Sequence, residues 1–268
     1  MKGKKMPELK TAATRIHYQL EGPADGPVVM LAHSLGVTLS MWDPQVPALT
    51  AAGYRVLRYD HRGHGRSDVP PGPYSIAQMG RDVIDLLDGL AMEKVHFCGL
   101  SLGGMVGQEL GVRHGRRLHS LILCSTSAHM PPREIWEERI QSVRENGMGV
   151  VIDATIDRWF TPADQARLPG KVQKIRNALS AMSVEGFCAC CAAIRDMDLS
   201  DDIRTIGCPT LIMVGQHDQG TPVAAARFIH ERIAPSRLVV IADAAHLQNV
   251  TQTDVFTKTM LEFLEEDA

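Results

Sequence analysis

Long hydrophobic runs are absent from this 268-residue chain. No apolar stretch reaches the roughly 18 residues that cross a bilayer, and the N-terminal lysines are not followed by the apolar core of roughly 7–15 residues that marks a secretory signal. These absences point to a soluble, cytoplasmic protein with no membrane partner. Charge of one sign is missing too: 28 Lys and Arg stand against 31 Asp and Glu, a net charge of −3, and no basic block forms beyond Lys2, Lys4 and Lys5. That balance argues against nucleic acid or an anionic membrane as partner. The six cysteines, Cys98, Cys124, Cys188, Cys190, Cys191 and Cys208, lack disulfide-framework spacing and sit mostly in apolar runs, as reduced buried thiols do. Around Cys188-Ala189-Cys190-Cys191 there is no histidine or second Cys-x-x-Cys pair to complete a tetrahedral site, so no metal is expected. Aromatic residues are only 5% of the chain, but 44% hydrophobic and 22% charged residues are the proportions of an ordinary globular protein and exclude disordered, collagen-like and fibrous designs.

What is present is alternation of strand and helix patterns. The stretch from Ala13 to Leu20 reads as an edge strand, and Val28 to Ala32, after the break at Pro23-Ala24-Asp25-Gly26-Pro27, as a buried one. Tyr54 to Tyr59, Val95 to Cys98, Leu118 to Cys124, Thr210 to Gly215 and Leu238 to Ile241 continue the strand series. Met41 to Ala52, Ile76 to Leu90, Leu102 to His114 and Asp254 to Glu265 read as helices. Such alternation predicts an α/β fold with a mostly parallel central sheet and helices on both faces. Between residues 128 and 198 it stops, and Ile135 to Glu145, Val150 to Phe160, Ala166 to Met182 and Val184 to Arg195 are helical patterns without a strand. The expected division is a core of residues 1–127 and 199–268 with a helical cap at 128–198.

The sharpest chemical signal is Gly99-Leu100-Ser101-Leu102-Gly103, between a predicted strand and a predicted helix. A serine on a strained strand-to-helix turn needs neighbours without side chains, because the helix and the adjoining strand pass close behind it. The Leu102 N–H, at the helix start, faces the same space and is a candidate oxyanion donor. A serine hydroxyl needs a base and an orienting acid, which in this chain order follow after late strands. Asp218 and His246 fill those slots; Asp243 is the rival acid, and His217 and His230 are the rival bases. The second oxyanion donor is sought after the strand ending at Ala32, where Leu35 is the candidate. The cluster His61-Arg62-Gly63-His64-Gly65 reads as a structural turn rather than a metal site.

Together with the elbow, His33-Ser34-Leu35-Gly36 and Tyr59-Asp60-His61-Arg62-Gly63-His64-Gly65-Arg66-Ser67 resemble the α/β-hydrolase superfamily over nearly the whole chain, with Ser34 standing where many relatives carry glycine. The resemblance narrows to the 3-oxoadipate enol-lactonases through Met41-Trp42-Asp43-Pro44-Gln45, Val69-Pro70-Pro71-Gly72-Pro73-Tyr74-Ser75, Cys191 to Leu199 and Asp243-Ala244-Ala245-His246. One departure is Asp218-Gln219-Gly220-Thr221-Pro222, where relatives read Asp-Pro-Ala-Thr-Pro. The resemblance implies an α/β-hydrolase fold, no cofactor, a small lactone or ester substrate, and hydrolysis of 3-oxoadipate enol-lactone in aromatic catabolism. The residues alone indicate a serine hydrolase, with carboxylesterase, C–C hydrolase, perhydrolase and ligand-receptor readings open. Ser34, Trp136 and Trp159 are candidate substrate contacts. Arg133, Arg139, Arg144, Arg158 and Arg195 are candidates to pair with a substrate carboxylate; the sequence does not choose among them, and Arg133 is the expected contact.

Overall fold

Strand residues with no polar alternation have both faces to bury, and the central strands do so. The computed structural model describes residues 7–11 and 13–266, so Lys2, Lys4 and Lys5 lie outside the described residues. Strands β1 (Glu8–Lys10), β2 (Arg15–Glu21), β3 (Val28–Ala32), β4 (Arg55–Tyr59), β5 (Val95–Leu100), β6 (Leu118–Cys124), β7 (Thr210–Gly215) and β8 (Ser236–Ile241) form one sheet in the order β1-β2-β4-β3-β5-β6-β7-β8. The pairs β1–β2 and β2–β4 are antiparallel and the rest are parallel. Met30 and Ala32 enter one core layer and Val29 and Leu31 the other, as the two-residue period of a strand requires. The stretch read as an edge strand is not at the edge: β2 lies inside β1, a three-residue strand too short and polar to stand out as a pattern.

Helix α1 (Val46–Ala51) is shorter than the pattern from Met41 suggests. Met41 and Trp42 belong to a separate 3-10 turn, Leu39–Trp42, because Pro44 has no N–H to continue a helical ladder. Helix α2 (Ile76–Gly89) opens on a reciprocal cap, with the Gln78 N–H donating to Ser75 Oγ at 3.1 Å and the Ser75 N–H to Gln78 Oε1 at 2.9 Å. Helix α3 (Leu102–His114) follows β5 directly.

Five α-helices stand between β6 and β7, α4 (Arg133–Asn146), α5 (Gly149–Trp159), α6 (Pro162–Arg167), α7 (Pro169–Ser180) and α8 (Val184–Asp196), followed by a 3-10 turn, Asp202–Thr205. The pattern from Ala166 to Met182 is thus two elements, since Pro169 cannot donate to the carbonyl one turn back. A bridge between His129 and Asp198 ties the two ends of this insertion together. Its helices divide between the layers. Trp136, Ile140 and Val143 of α4 and Phe187, Cys188 and Ile194 of α8 join the layer of Met30, while Ile156 and Trp159 of α5 and Val172, Ile175 and Leu179 of α7 join that of Leu31. The insertion therefore packs over the strand ends from both faces. Helices α9 (Val223–His230), α10 (Gln248–Thr251) and α11 (Thr253–Glu266) complete the chain. Among the described residues no single helix is long and apolar enough to cross a membrane.

Candidate active site

Strand order sets the location of the site. The chain winds from β3 outward to β4, then returns to β5 and proceeds the other way, so the carboxyl ends of β3 and β5 flank the crevice where the winding reverses. Ser101 sits there with φ 57° and ψ −112°, a left-handed conformation costing a non-glycine residue about 1–3 kcal/mol. It is held by its own N–H donating to Cys124 O at 2.9 Å and by Thr126 Oγ1 donating to Ser101 O at 2.9 Å. The flanking glycines are sterically required: a Cβ on Gly99 would lie 2.1 Å from Gly103 O, and one on Gly103 2.2 Å from Ala32 O. Leu102 is the first residue of α3, where an N–H has no helical acceptor and the helix dipole favours negative charge.

The loops after β7 and β8 bring Asp218 and His246 together. His246 Nδ1 lies 2.9 Å from Asp218 Oδ2, with both residues buried. Asp218 Oδ1 accepts the Gly220 N–H at 2.9 Å and the Thr221 N–H at 3.0 Å, and Oδ2 accepts the Thr221 hydroxyl at 2.9 Å. Burial pushes this carboxyl up, but the His246 and Thr221 interactions outweigh it and hold the group below the usual aspartate range. An imidazole whose Nδ1 is tied to a carboxylate offers Nε2 as a base. The rivals are elsewhere: His230 Nδ1 pairs with Ser236 Oγ at 2.8 Å, and Asp243 and His217 line a separate, open cavity of about 790 Å³.

Ser101, His246, Ser34 and Leu35 line one cavity of about 340 Å³ under the insertion helices. Trp159 stacks on His246 with ring centroids 5.6 Å apart, and Trp136 forms another wall, its Nε1 donating to Met130 O at 3.0 Å. Ser34 is fully buried, and its hydroxyl has no hydrogen-bond partner among the described residues. Arg133 is not part of this wall; it is exposed and paired with Asp196 at 2.7 Å. Arg139 and Arg158 line the cavity instead. Arg139 lies over the Trp136 ring at 4.7 Å and Arg158 reaches Thr155 Oγ1 at 3.4 Å, and neither forms an ion pair among the described residues. Burial and then the charge of Arg139 push the Arg158 guanidinium down from its ordinary value, and the charge of Asp157 opposes them without cancelling the shift. Two like charges with no carboxylate at ion-pair distance make a pocket suited to an anion. Thr221 is not singled out by the sequence motifs, although an Asp followed three residues later by Thr is a turn pattern in which the side chain closes on the backbone.

The histidine cluster is structural, and its nitrogens are engaged by backbone. His33 Nε2 accepts the His61 N–H at 3.1 Å, His61 Nε2 donates to His33 O at 3.1 Å, and His64 Nε2 accepts the Gly36 N–H at 2.9 Å. Burial drives His33 and His61 below the usual histidine range and His64 down to about 3, against the opposing charge of Asp60 on His33 and His64. A histidine neutral when folded but free to charge when unfolded supports stability above about pH 6.5 and loses that support as pH falls towards its folded value, by about 1.4 kcal/mol per unit for each residue. Melting temperature should therefore drop steeply between pH 6.5 and 4. In His64→Gln the slope should be shallower by about one proton; an unchanged slope would remove His64 from the account.

Residues 27–253 match the family model of the alpha/beta hydrolase fold, and the chain belongs to that family. Among its relatives, 3-oxoadipate enol-lactonase 2 of Acinetobacter baylyi is 39% identical over 90% of this chain and 90% of that one. The enol-lactonase of Burkholderia xenovorans LB400 superposes with a TM-score of 0.94 at 39% identity, covering 97% of this chain and 100% of that one. A Variovorax paradoxus protein with a provisional assignment as a carbamate hydrolase is 30% identical over 93% of this chain and 96% of that one.

Proposed function

We propose that this protein opens 3-oxoadipate enol-lactone to 3-oxoadipate. The observation that carries the reading is that one cavity brings the elbow serine and His246 to face two arginines that form no ion pair among the described residues. A nucleophile beside a cationic wall fits a small carbonyl substrate that also bears a carboxylate, as this lactone does, better than a neutral ester or carbamate. The likeness to two enol-lactonases supports the same substrate.

In this mechanism His246, oriented by Asp218, takes the Ser101 proton as Oγ attacks the lactone carbonyl, and the Leu35 and Leu102 N–H groups receive the oxyanion. Collapse of the tetrahedral intermediate breaks the ring C–O bond. The enol oxygen leaves with the proton from His246, and the freed enol tautomerises to the ketone. Water, deprotonated by His246, then attacks the acyl-enzyme and releases the second carboxylate. The Ser34 hydroxyl, unused by the protein, contacts the substrate, and residues 128–198 serve as the cap that excludes bulk water. The buried thiols Cys98, Cys124, Cys188, Cys190 and Cys191 suit a reducing cytoplasm.

The test follows the lactone's ultraviolet absorbance beside neutral p-nitrophenyl esters. Arg139→Gln and Arg158→Gln should each raise KM for the lactone by about 10- to 100-fold, the worth of a charge-assisted hydrogen bond, and leave the neutral esters within about twofold. Equal effects on both substrates, or neutral esters turned over while the lactone is not, would discard the lactone reading.

A further inference from the structure

The N–H of Leu35 belongs to the Ser34–Leu35 peptide, and the carbonyl of that same peptide is gripped from behind. His33 Nδ1 lies 2.7 Å from Ser34 O. Because His33 Nε2 accepts the His61 N–H, the ring proton must sit on Nδ1, which makes His33 the donor to Ser34 O. In a trans peptide the N–H points opposite to the C=O, so fixing Ser34 O fixes the direction of the Leu35 N–H. The next peptide is gripped as well, since the Gly36 N–H donates to His64 Nε2 at 2.9 Å. His64 then carries its proton on Nδ1, 3.3 Å from Arg62 O. Gly36 itself sits at φ +79°, where an L side chain is strained, and a Cβ there would meet Leu179 at 2.7 Å. The three rings contact one another edge-on, with His33 4.5 Å from His61 and 5.0 Å from His64, and all are buried.

We propose that His33 and His64, each held as the Nδ1–H tautomer, are positioning residues that clamp the two peptides on either side of Leu35 and so aim its N–H at the oxyanion formed on Ser101. One ring donates and the other accepts, so the pair fixes both planes without touching substrate. The bond to Ser34 O also polarises that peptide and strengthens its N–H as a donor. Burial keeps His64 neutral to about pH 3, so its acceptor nitrogen remains available through any working pH. This inference rests on Ser101 being the nucleophile of the proposed reaction, but not on the lactone being its substrate.

The tautomers dictate the test. An asparagine amide nitrogen falls near Nδ1 of the histidine it replaces, and a glutamine amide oxygen reaches near Nε2. His33→Asn and His64→Gln therefore preserve the clamp, and His33→Leu and His64→Leu remove it. Acylation of Ser101 by p-nitrophenyl acetate is the readout, and a boronic acid that mimics the tetrahedral intermediate is the binding probe. Loss of aim should lower kcat by about 10²-fold in the leucine variants, comparable to losing one oxyanion donor, with KM within about threefold and boronate affinity falling in parallel. The Asn and Gln variants should stay within about fivefold of wild type. If the leucine variants do not fold, the crossed pair His33→Gln and His64→Asn, polar but of the wrong reach, takes their place and should show the same loss. Leucine or crossed variants that retain kcat, or a loss shared equally by the Asn and Gln variants, would overturn the clamp. Failure on the lactone with normal acylation by the ester would instead overturn the substrate reading alone.

Discussion

Ser101→Ala should lower kcat for lactone opening by at least about 10⁴-fold, the loss expected when the nucleophile of a triad is removed and only binding and oxyanion stabilisation remain. The fold should survive. Alanine has the same Cβ at φ 57°, so the strain of the elbow is unchanged, and the bonds that hold the turn use the backbone of residue 101. Melting temperature should accordingly stay within about 2 °C of wild type, since no buried packing is lost. KM should change little, because the proposed binding groups, the cavity-lining Arg139 and Arg158, are not touched. Steady-state absorbance kinetics with a mass-spectrometric search for the acyl-enzyme decide the matter. An alanine variant that still turns over within tenfold of wild type would assign the chemistry to another group.

Asp218→Asn should lower kcat by about 10⁴-fold, for a different reason. The carboxylate has its capacity filled: two backbone N–H groups on Oδ1, and the Thr221 hydroxyl and His246 on Oδ2. In the amide, the oxygen stays with the two N–H donors that no acceptor else serves, which turns the NH₂ towards His246. The imidazole must then accept at Nδ1 and carry its proton on Nε2, the tautomer unable to deprotonate Ser101. Loss of kcat with unchanged KM and unchanged far-ultraviolet circular dichroism is the expected signature. A loss below about tenfold would mean that the tautomer of His246 is set by something other than Asp218.

Much of this architecture was legible from local pattern. Continuous apolar runs ended by turn residues can be buried only inside a sheet covered on both sides, and β6 and β7 run where those patterns do. The elbow was legible because its glycines answer a backbone clash that no other residue type avoids. Where structure and pattern differ, the deciding partner is distant or the signal too short. The strand Glu8–Lys10 has too few residues to show a period, so β2 read as an edge, and a periodicity running through Pro169 concealed a break that one missing N–H imposes.

The arginines mark the boundary most clearly. Arg133, Arg139 and Arg158 are alike in sequence: each lies in a helix of the insertion, with acidic residues nearby. By itself the sequence determined the layered α/β design, and it marked a helical stretch between strands and Ser101, Asp218 and His246 as candidates, because each is signalled by short-range sterics or by order along the chain. Only the tertiary structure decided which cations face the cavity, turning Arg133 out to Asp196 and leaving Arg139 and Arg158 beside Ser101. It also decided that Thr221 closes on Asp218 and that a cluster of histidines would become neutral backbone clamps. The physical reason is the same in each case. A side chain's charge state and partner depend on what is buried around it, and burial is a property of the packed chain, not of any window along it.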